Sequence, residues 1–86
     1  MNRKANARAK ESYEFQVVIE VDEDGKYVAS CPALQACYTQ GDTFEEAMEN
    51  IRDVIAMCLE ELKEADEIPD PRYPEVIGTR RIEVTV

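Results

Sequence analysis

Apolar and polar residues alternate over residues 13–21, the first patterned stretch of the chain. One face of this segment carries five apolar side chains: Tyr13, Phe15, Val17, Ile19 and Val21. A period of two is typical of a half-buried β-strand. The next four residues, Asp22-Glu23-Asp24-Gly25, have hairpin-loop chemistry, because a late glycine accepts a positive φ. We therefore expect a strand followed by a tight turn.

Two more short strands are predicted after this turn. The second runs over residues 26–31 and ends before Pro32, which has no N–H for a strand ladder. Residues 33–36 form a connection, and residues 37–40 form the third strand. The order predicts an antiparallel three-stranded meander.

The spacing of apolar residues changes after Gly41, from two to three and four. Nine positions form one stripe: Phe44, Ala47, Met48, Ile51, Val54, Ile55, Cys58, Leu59 and Leu62. This pattern predicts a long amphipathic helix that covers the sheet and ends near residue 65. Thr43 or Asp42 is the expected N-cap, and Glu46 stands three residues after Thr43, as in a capping box.

The last six residues, 81–86, alternate again and predict a fourth strand. It has two possible partners, an earlier strand of the same sheet or a strand of another subunit. The chain is thus predicted to be one α+β domain of order β-β-β-α-β over residues 12–86. A basic, flexible N-terminal arm over residues 1–11 precedes it.

Charge is distributed unevenly over the 86 residues. The first ten residues hold Arg3, Lys4, Arg8 and Lys10 and no acid, whereas residues 11–86 have six basic and 19 acidic residues, a net charge of −13. Such an acidic body repels nucleic-acid phosphates and suits a basic partner. A domain of this size also gains stability from self-association, so a homo-oligomer is expected.

The compartment expected from the sequence is the cytoplasm. The basic start is followed by no apolar run typical of a secretory signal, and no stretch is apolar enough to span a bilayer. The cysteines, Cys31, Cys37 and Cys58, are odd in number and are expected to be buried and reduced rather than disulfide-bonded.

The sequence favours binding over catalysis. Histidine is absent, which removes the commonest general base and zinc ligand, and the cysteines are too widely spaced for a zinc knuckle. We expect no cofactor and no resident metal. One alternative is a degenerate metal-dependent nuclease, whose metal ligands would come from these carboxylates: Glu20 or Asp22, Glu46, Glu49 and Glu83. With 19 acidic residues in the chain, chance combinations of this kind are plentiful.

Residues 22–47 resemble the HicB family of antitoxins, and with the helix the resemblance covers about residues 13–70. It is carried by a combination of motifs: Asp22-Glu23-Asp24-Gly25, Cys31-Pro32-Ala33-Leu34, Cys37, Gly41-Asp42-Thr43 and Glu46-Ala47. The resemblance implies a partial ribonuclease-H-like fold without nuclease activity. It also implies a partner, a small basic mRNA-cleaving toxin of the HicA type, which the antitoxin binds and occludes.

Two features depart from the family pattern. Ala36 stands where a glycine is usual, so a tight turn there must tolerate a side chain. Longer members carry a C-terminal DNA-binding module, and this sequence reaches Val86 without one, which argues against direct DNA binding. The residues expected to meet the partner are exposed acids of the hairpin and helix: Asp22, Glu23, Asp24, Glu45, Glu49 and Asp53.

Overall fold

A computed structural model describes residues 11–86 and contains three strands and one helix. The strands are β1 (Val18–Val21), β2 (Tyr27–Ser30) and β3 (Tyr38–Gly41), and the helix α1 spans Phe44–Glu64. The sheet is antiparallel in the order β1-β2-β3. The predicted meander followed by a long helix is confirmed. The predicted arm, residues 1–11, lies outside the described residues except for Glu11.

The first strand is shorter than predicted because its ladder runs into Pro32. Just after β1, the N–H of Asp22 donates to the Lys26 carbonyl at 2.9 Å, and at the start of β1 Val18 faces Ser30. Hydrogen-bonded pairs alternate along an antiparallel ladder, so the next such position pairs Gln16 with Pro32. Proline has no N–H to donate, and residues 13–17 therefore remain outside the strand.

The start of α1 is capped as predicted, with one difference. Thr43 is the N-cap, and its side-chain oxygen accepts a hydrogen bond from the Glu46 N–H at 3.0 Å. The Glu46 carboxylate reaches back to the N–H of Asp42 rather than that of Thr43. The capping box thus closes one residue earlier and links the end of β3 to the first helical turn.

The end of α1 is a Schellman motif formed without glycine. The Glu67 N–H donates to the Leu62 carbonyl at 2.8 Å, and the Asp66 N–H donates to the Lys63 carbonyl at 3.1 Å. Asp66 adopts a φ of 56°, in the left-handed region where aspartate is one of the few residues tolerated. Ala36 has the same φ of 56°, so the turn expected to tolerate a side chain is a left-handed one.

A small core lies between α1 and the sheet. Its buried residues are Ala29, Cys31, Leu34, Cys37, Ala47 and Ile51. Around them pack half-buried residues from β1, β2 and the helix, including Ile19, Val54 and Leu62. Two members of the predicted apolar stripe, Phe44 and Met48, remain 49% and 39% exposed. The three strands therefore cover only part of the helix's apolar face.

The cysteines belong to this core, as predicted. Cys31 and Cys37 are buried, Cys58 is half-buried, and none of the three forms a disulfide. Burial, together with the adjacent Cys58 and Cys31, raises the pKa of the Cys37 thiol to about 12. Burial also raises the pKa of Cys31. Because the thiolate is the reactive species, these two side chains behave as small hydrophobic groups.

The predicted C-terminal strand does not form within the single chain. Residues 77–86 are exposed and pair with none of the three strands. The last tertiary hydrogen bonds hold Val76, whose N–H donates to the Gln16 side-chain oxygen and whose carbonyl accepts from the Gln16 amide. Beyond this point the chain leaves the body of the domain, and the longest dimension reaches 66 Å.

Gly41 marks the closest approach between sheet and helix. A Cβ placed there would lie 2.6 Å from the Ala47 backbone nitrogen and 3.0 Å from the Glu46 carbonyl carbon. Both atoms belong to the helix backbone, so neither moves without displacing the first turn. Only glycine permits this contact.

We expect Gly41→Ala to lower the free energy of unfolding by about 1–3 kcal/mol, because the added methyl group pushes the helix away from β3. Urea denaturation measures the effect. Gly78→Ala is the matched control, since a Cβ there meets no atom within 4 Å. Equal stability of the two variants would contradict the steric role of Gly41.

The raised pKa of Cys37 predicts a loss of stability at high pH. The unfolded thiol deprotonates near pH 9, whereas the folded thiol keeps its proton to about pH 12. The contribution is complete below pH 9 and falls by up to about 1.4 kcal/mol per pH unit above it. We expect denaturant unfolding between pH 8 and pH 10.5 to show a shallower decline for Cys37→Ala than for the unmodified chain. Parallel declines would refute this.

Candidate partner-binding surface

All three acids of the β1–β2 hairpin are exposed, and one of them, Asp22, also builds the turn. One carboxylate oxygen of Asp22 accepts hydrogen bonds from the N–H groups of Asp24 and Lys26, each at 2.9 Å. Gly25 supplies the positive φ of 83° predicted for it. Asp22 is therefore a structural residue of the hairpin, while Glu23 and Asp24 have exposed side chains free of such a role.

Lys26 joins the hairpin to the start of the helix. Its ammonium group forms an ion pair with Asp42, which lies between β3 and α1. The hydrogen bond and charge of Asp42 raise the pKa of Lys26, and the charges of Glu46 and Asp22 add to the effect. We call the acids at this end of the domain the acidic end: Asp22, Glu23, Asp24, Asp42, Glu45 and Glu46.

A second set of acids follows the solvent side of α1. Glu45, Glu49 and Asp53 are spaced four residues apart, so they lie above one another on one face, and all three are exposed. The same face continues through Glu60 and Glu64, which were not among the residues predicted to meet the partner. We call this set the acidic stripe: Glu45, Glu49, Asp53, Glu60 and Glu64. It begins at the acidic end.

No acid of the acidic stripe forms an ion pair within residues 11–86, although Arg52 and Lys63 lie on the same side of the helix. The two ion pairs within residues 11–86, Lys26 with Asp42 and Arg72 with Asp70, leave all of its members out. Like charges four residues apart on a helix cost roughly 0.2–0.5 kcal/mol per pair. Met57, 61% exposed, lies at the margin of the stripe and adds apolar area to it.

The carboxylates of the nuclease alternative do not converge. Asp22 is in the hairpin, Glu46 caps the helix, Glu49 lies one turn later, and Glu83 is in the exposed C-terminal segment. Over the described residues, no three metal-ligating side chains come together. Lys26 already places a positive charge beside Asp42, Glu46 and Asp22. The geometry thus gives no support to a metal centre built from these acids.

The remaining sequence predictions concern the arm and the membrane. The basic side chains Arg3, Lys4, Arg8 and Lys10 fall outside the described residues. Within residues 11–86, α1 is the one long helix, and it is too polar to cross a lipid bilayer.

Comparison with known proteins gives relatives along most of the chain. A UPF0150 protein of Synechocystis sp. is 58% identical over 50 residues, covering 58% of this chain and 72% of the relative. A second UPF0150 protein of that organism is 44% identical over 68 residues, covering 79% and 85%. A UPF0150 protein of Archaeoglobus fulgidus is 39% identical over 70 residues, covering 81% and 93%.

The family comparison agrees with the resemblance found in the sequence. Residues 15–80 match the model of the HicB-like antitoxin of bacterial toxin-antitoxin systems. The matched residues include all three strands, α1 and the connection that follows it. With the fold, the long pairwise matches and this family match in agreement, the chain belongs to the HicB-like antitoxin family.

Proposed function

We propose that this protein is a non-enzymatic antitoxin that binds and neutralises a small basic, mRNA-cleaving toxin of the HicA type. Membership of the HicB-like family is the observation that carries the proposal. The −13 charge of residues 11–86 supports it, because a toxin that binds RNA presents a positive surface to the phosphates. The antitoxin and RNA then compete for one surface.

The acidic end and the acidic stripe are the proposed binding surface. Together they include every sequence-predicted contact residue: Asp22, Glu23, Asp24, Glu45, Glu49 and Asp53. Exposed acids of this kind accelerate encounter with a basic partner and orient it, whereas affinity comes from fully desolvated contacts near the centre. We propose that Met57, an exposed apolar side chain beside the acidic stripe, supplies part of this desolvated contact.

Neutralisation by this surface needs no reacting group. A bound antitoxin that covers the toxin's RNA-binding and catalytic groups stops cleavage by exclusion alone. The proposal therefore includes a partial ribonuclease-H-like topology with no nuclease chemistry. Lys26, beside the carboxylates of Asp42, Glu46 and Asp22, supports this part of the proposal, because it occupies the place a metal cation would need.

The proposal extends to self-association and location. Only six hydrophobic residues in the described chain are buried, a small core for an independent domain, so we propose that the protein acts as a homo-oligomer, a dimer or a tetramer. The buried cysteines, none of them in a disulfide, and the proposed mRNA target support a cytoplasmic location as part of the proposal. The acidic surface disfavours direct contact with DNA by residues 11–86.

An RNA-protection assay tests the function. The purified protein is added to the HicA-like toxin of the same genome, and cleavage of a labelled mRNA is followed as the molar ratio increases. We expect cleavage to stop near a stoichiometric ratio and a stable complex to elute from a sizing column. Full cleavage in the presence of a tenfold excess of this protein would overturn the proposal.

The acidic stripe has a separate test by charge reversal. We expect Glu49→Lys with Asp53→Lys to weaken toxin binding by about tenfold or more, since two attractive contacts become repulsive, and to slow association most at low salt. Titration calorimetry and stopped-flow mixing measure the two effects.

Glu67→Lys with Glu75→Lys is the matched control for this experiment. It makes the same change in net charge at exposed positions outside the acidic end and the acidic stripe. We expect it to reduce affinity by less than threefold. Equal losses in the two double variants would show that net charge, rather than the stripe, governs binding.

A further inference from the structure

The C-terminal segment, residues 81–86, has the pattern of a strand and pairs with no strand within residues 11–86. Its apolar side chains are exposed: Ile82 to 82%, Val84 to 74% and Val86 fully. Glu83 and Thr85 stand between them. Alternating apolar side chains are typical of a strand with one buried face. Leaving three apolar side chains of one face in water is costly, so this face is expected to be covered in the functional molecule.

The segment arrives too late in the chain to pair with its own first strand. The oxygen and the nitrogen of the Gln16 side-chain amide both hydrogen-bond to the backbone of Val76. This contact fixes the point from which the C-terminal segment starts. A strand that continued from there beside β1 would advance residue by residue, so that residues 77–81 would lie next to residues 17–21. Ile82 would then face Asp22, where the hairpin turns away. The apolar positions would overrun the sheet.

Of the two edges of the sheet, that of β1 has no outward backbone group bonded to a side chain in the described chain. At the other edge, the Asn50 side chain donates a hydrogen bond at 2.9 Å to the Gln40 carbonyl and so occupies an outward-facing group of β3. In β1 the ladder places the backbone groups of Ile19 and Val21 outward. Neither lysine nor proline protects this edge, and unprotected edges pair readily with other strands.

An apolar groove lies beside this edge and matches the segment's buried face. It has a volume of about 310 Å³ and runs between residues 13–17 and the helix. Its apolar lining includes Phe15, Val17, Met48 and Ile55. This is the part of the helix stripe that the three strands leave uncovered, and a fourth strand beside β1 would cover it.

Charges at the start of the segment favour the same site. Arg80 and Arg81 precede the alternating residues, whereas Glu14 and Glu20 lie before and within β1. All four side chains are exposed. Attraction between the arginines of the segment and the glutamates of the edge strengthens their association. It also favours this contact over one in which the acidic surfaces of two chains face each other.

We propose that residues 81–86 of each chain add as a strand to the β1 edge of a second copy, so that two copies exchange segments and form a closed dimer. The inference rests on the proposed self-association and specifies its contact. A reciprocal exchange uses the C-terminal segment and the β1 edge of each copy. It therefore closes the assembly at two copies and leaves no β1 edge for further growth.

Cross-linking between different chains tests the exchange. Equal amounts of Val21→Cys and Val84→Cys chains are mixed under denaturing conditions, refolded together and treated with a short bis-maleimide, and the linked peptides are identified by mass spectrometry. We expect a linkage between positions 21 and 84 of two chains. A Val84→Cys chain linked only to another Val84→Cys chain would indicate paired segments and overturn the proposal. A dominant linkage to a Tyr38→Cys chain would indicate the β3 edge and overturn it equally.

Two single variants separate the role of the segment from a general effect of charge. Val84→Asp places a carboxylate on the apolar face, and we expect it to raise the dimer dissociation constant at least tenfold in sedimentation experiments. Thr85→Asp adds the same charge on the alternate face, where we expect a change below threefold. Equal effects would overturn the strand arrangement.

The outcomes also separate this inference from the proposed function. A dimer that gives no linkage between positions 21 and 84 keeps self-association and removes strand exchange. A monomeric unmodified chain of 9.8 kDa removes both. The RNA-protection assay decides antitoxin activity by itself, and a monomeric Val84→Asp chain that still protects RNA shows that toxin binding does not require the exchange.

Discussion

The whole domain depends on one close contact, between the end of β3 and the first turn of α1. Gly41 lets the backbone of the strand approach the Ala47 nitrogen, and the Thr43 and Glu46 caps fix the direction in which the helix leaves. From this junction the helix crosses the sheet, and Ala47 and Ile51 become its fully buried side chains. The direction of the helix also sets how the buried cysteines and Leu34 pack around these two side chains.

The same junction organises the charged surface. Because β3 ends beside the β1–β2 hairpin, the acids of the hairpin and those of the helix start share one end of the molecule, with Lys26 between them. The helix then carries the acidic stripe away along its solvent side. Acids four residues apart that form no ion pair reduce the stability of an isolated helix, and binding of a basic partner offsets that cost. The surface is thus better suited to a complex than to a free domain.

Most of the fold was predictable from local patterns, because each element carries its own signal. The period of two, the late Gly25, the stripe of α1 and the Thr43 cap all act over a few residues. The early end of the first strand was missed because it depends on register, which places Gln16 opposite Pro32, residues far apart in sequence. Lys26 was missed for a similar reason. Its place among three carboxylates follows from tertiary structure, and a single lysine between strands gives no periodic signal.

The non-glycine end of α1 has a consequence for local opening. Asp66 holds a left-handed conformation, and the acids Glu60, Glu61 and Glu64 face the negative end of the helix dipole with one cation, Lys63, among them. The last turn is therefore the least stable part of the helix and frays before the segment around Ile51, where amide hydrogens exchange most slowly. Melting one turn lengthens the connection that follows it. The added slack lies between the helix and Val76, whereas the contact with Gln16 still fixes the point from which the C-terminal residues leave the domain.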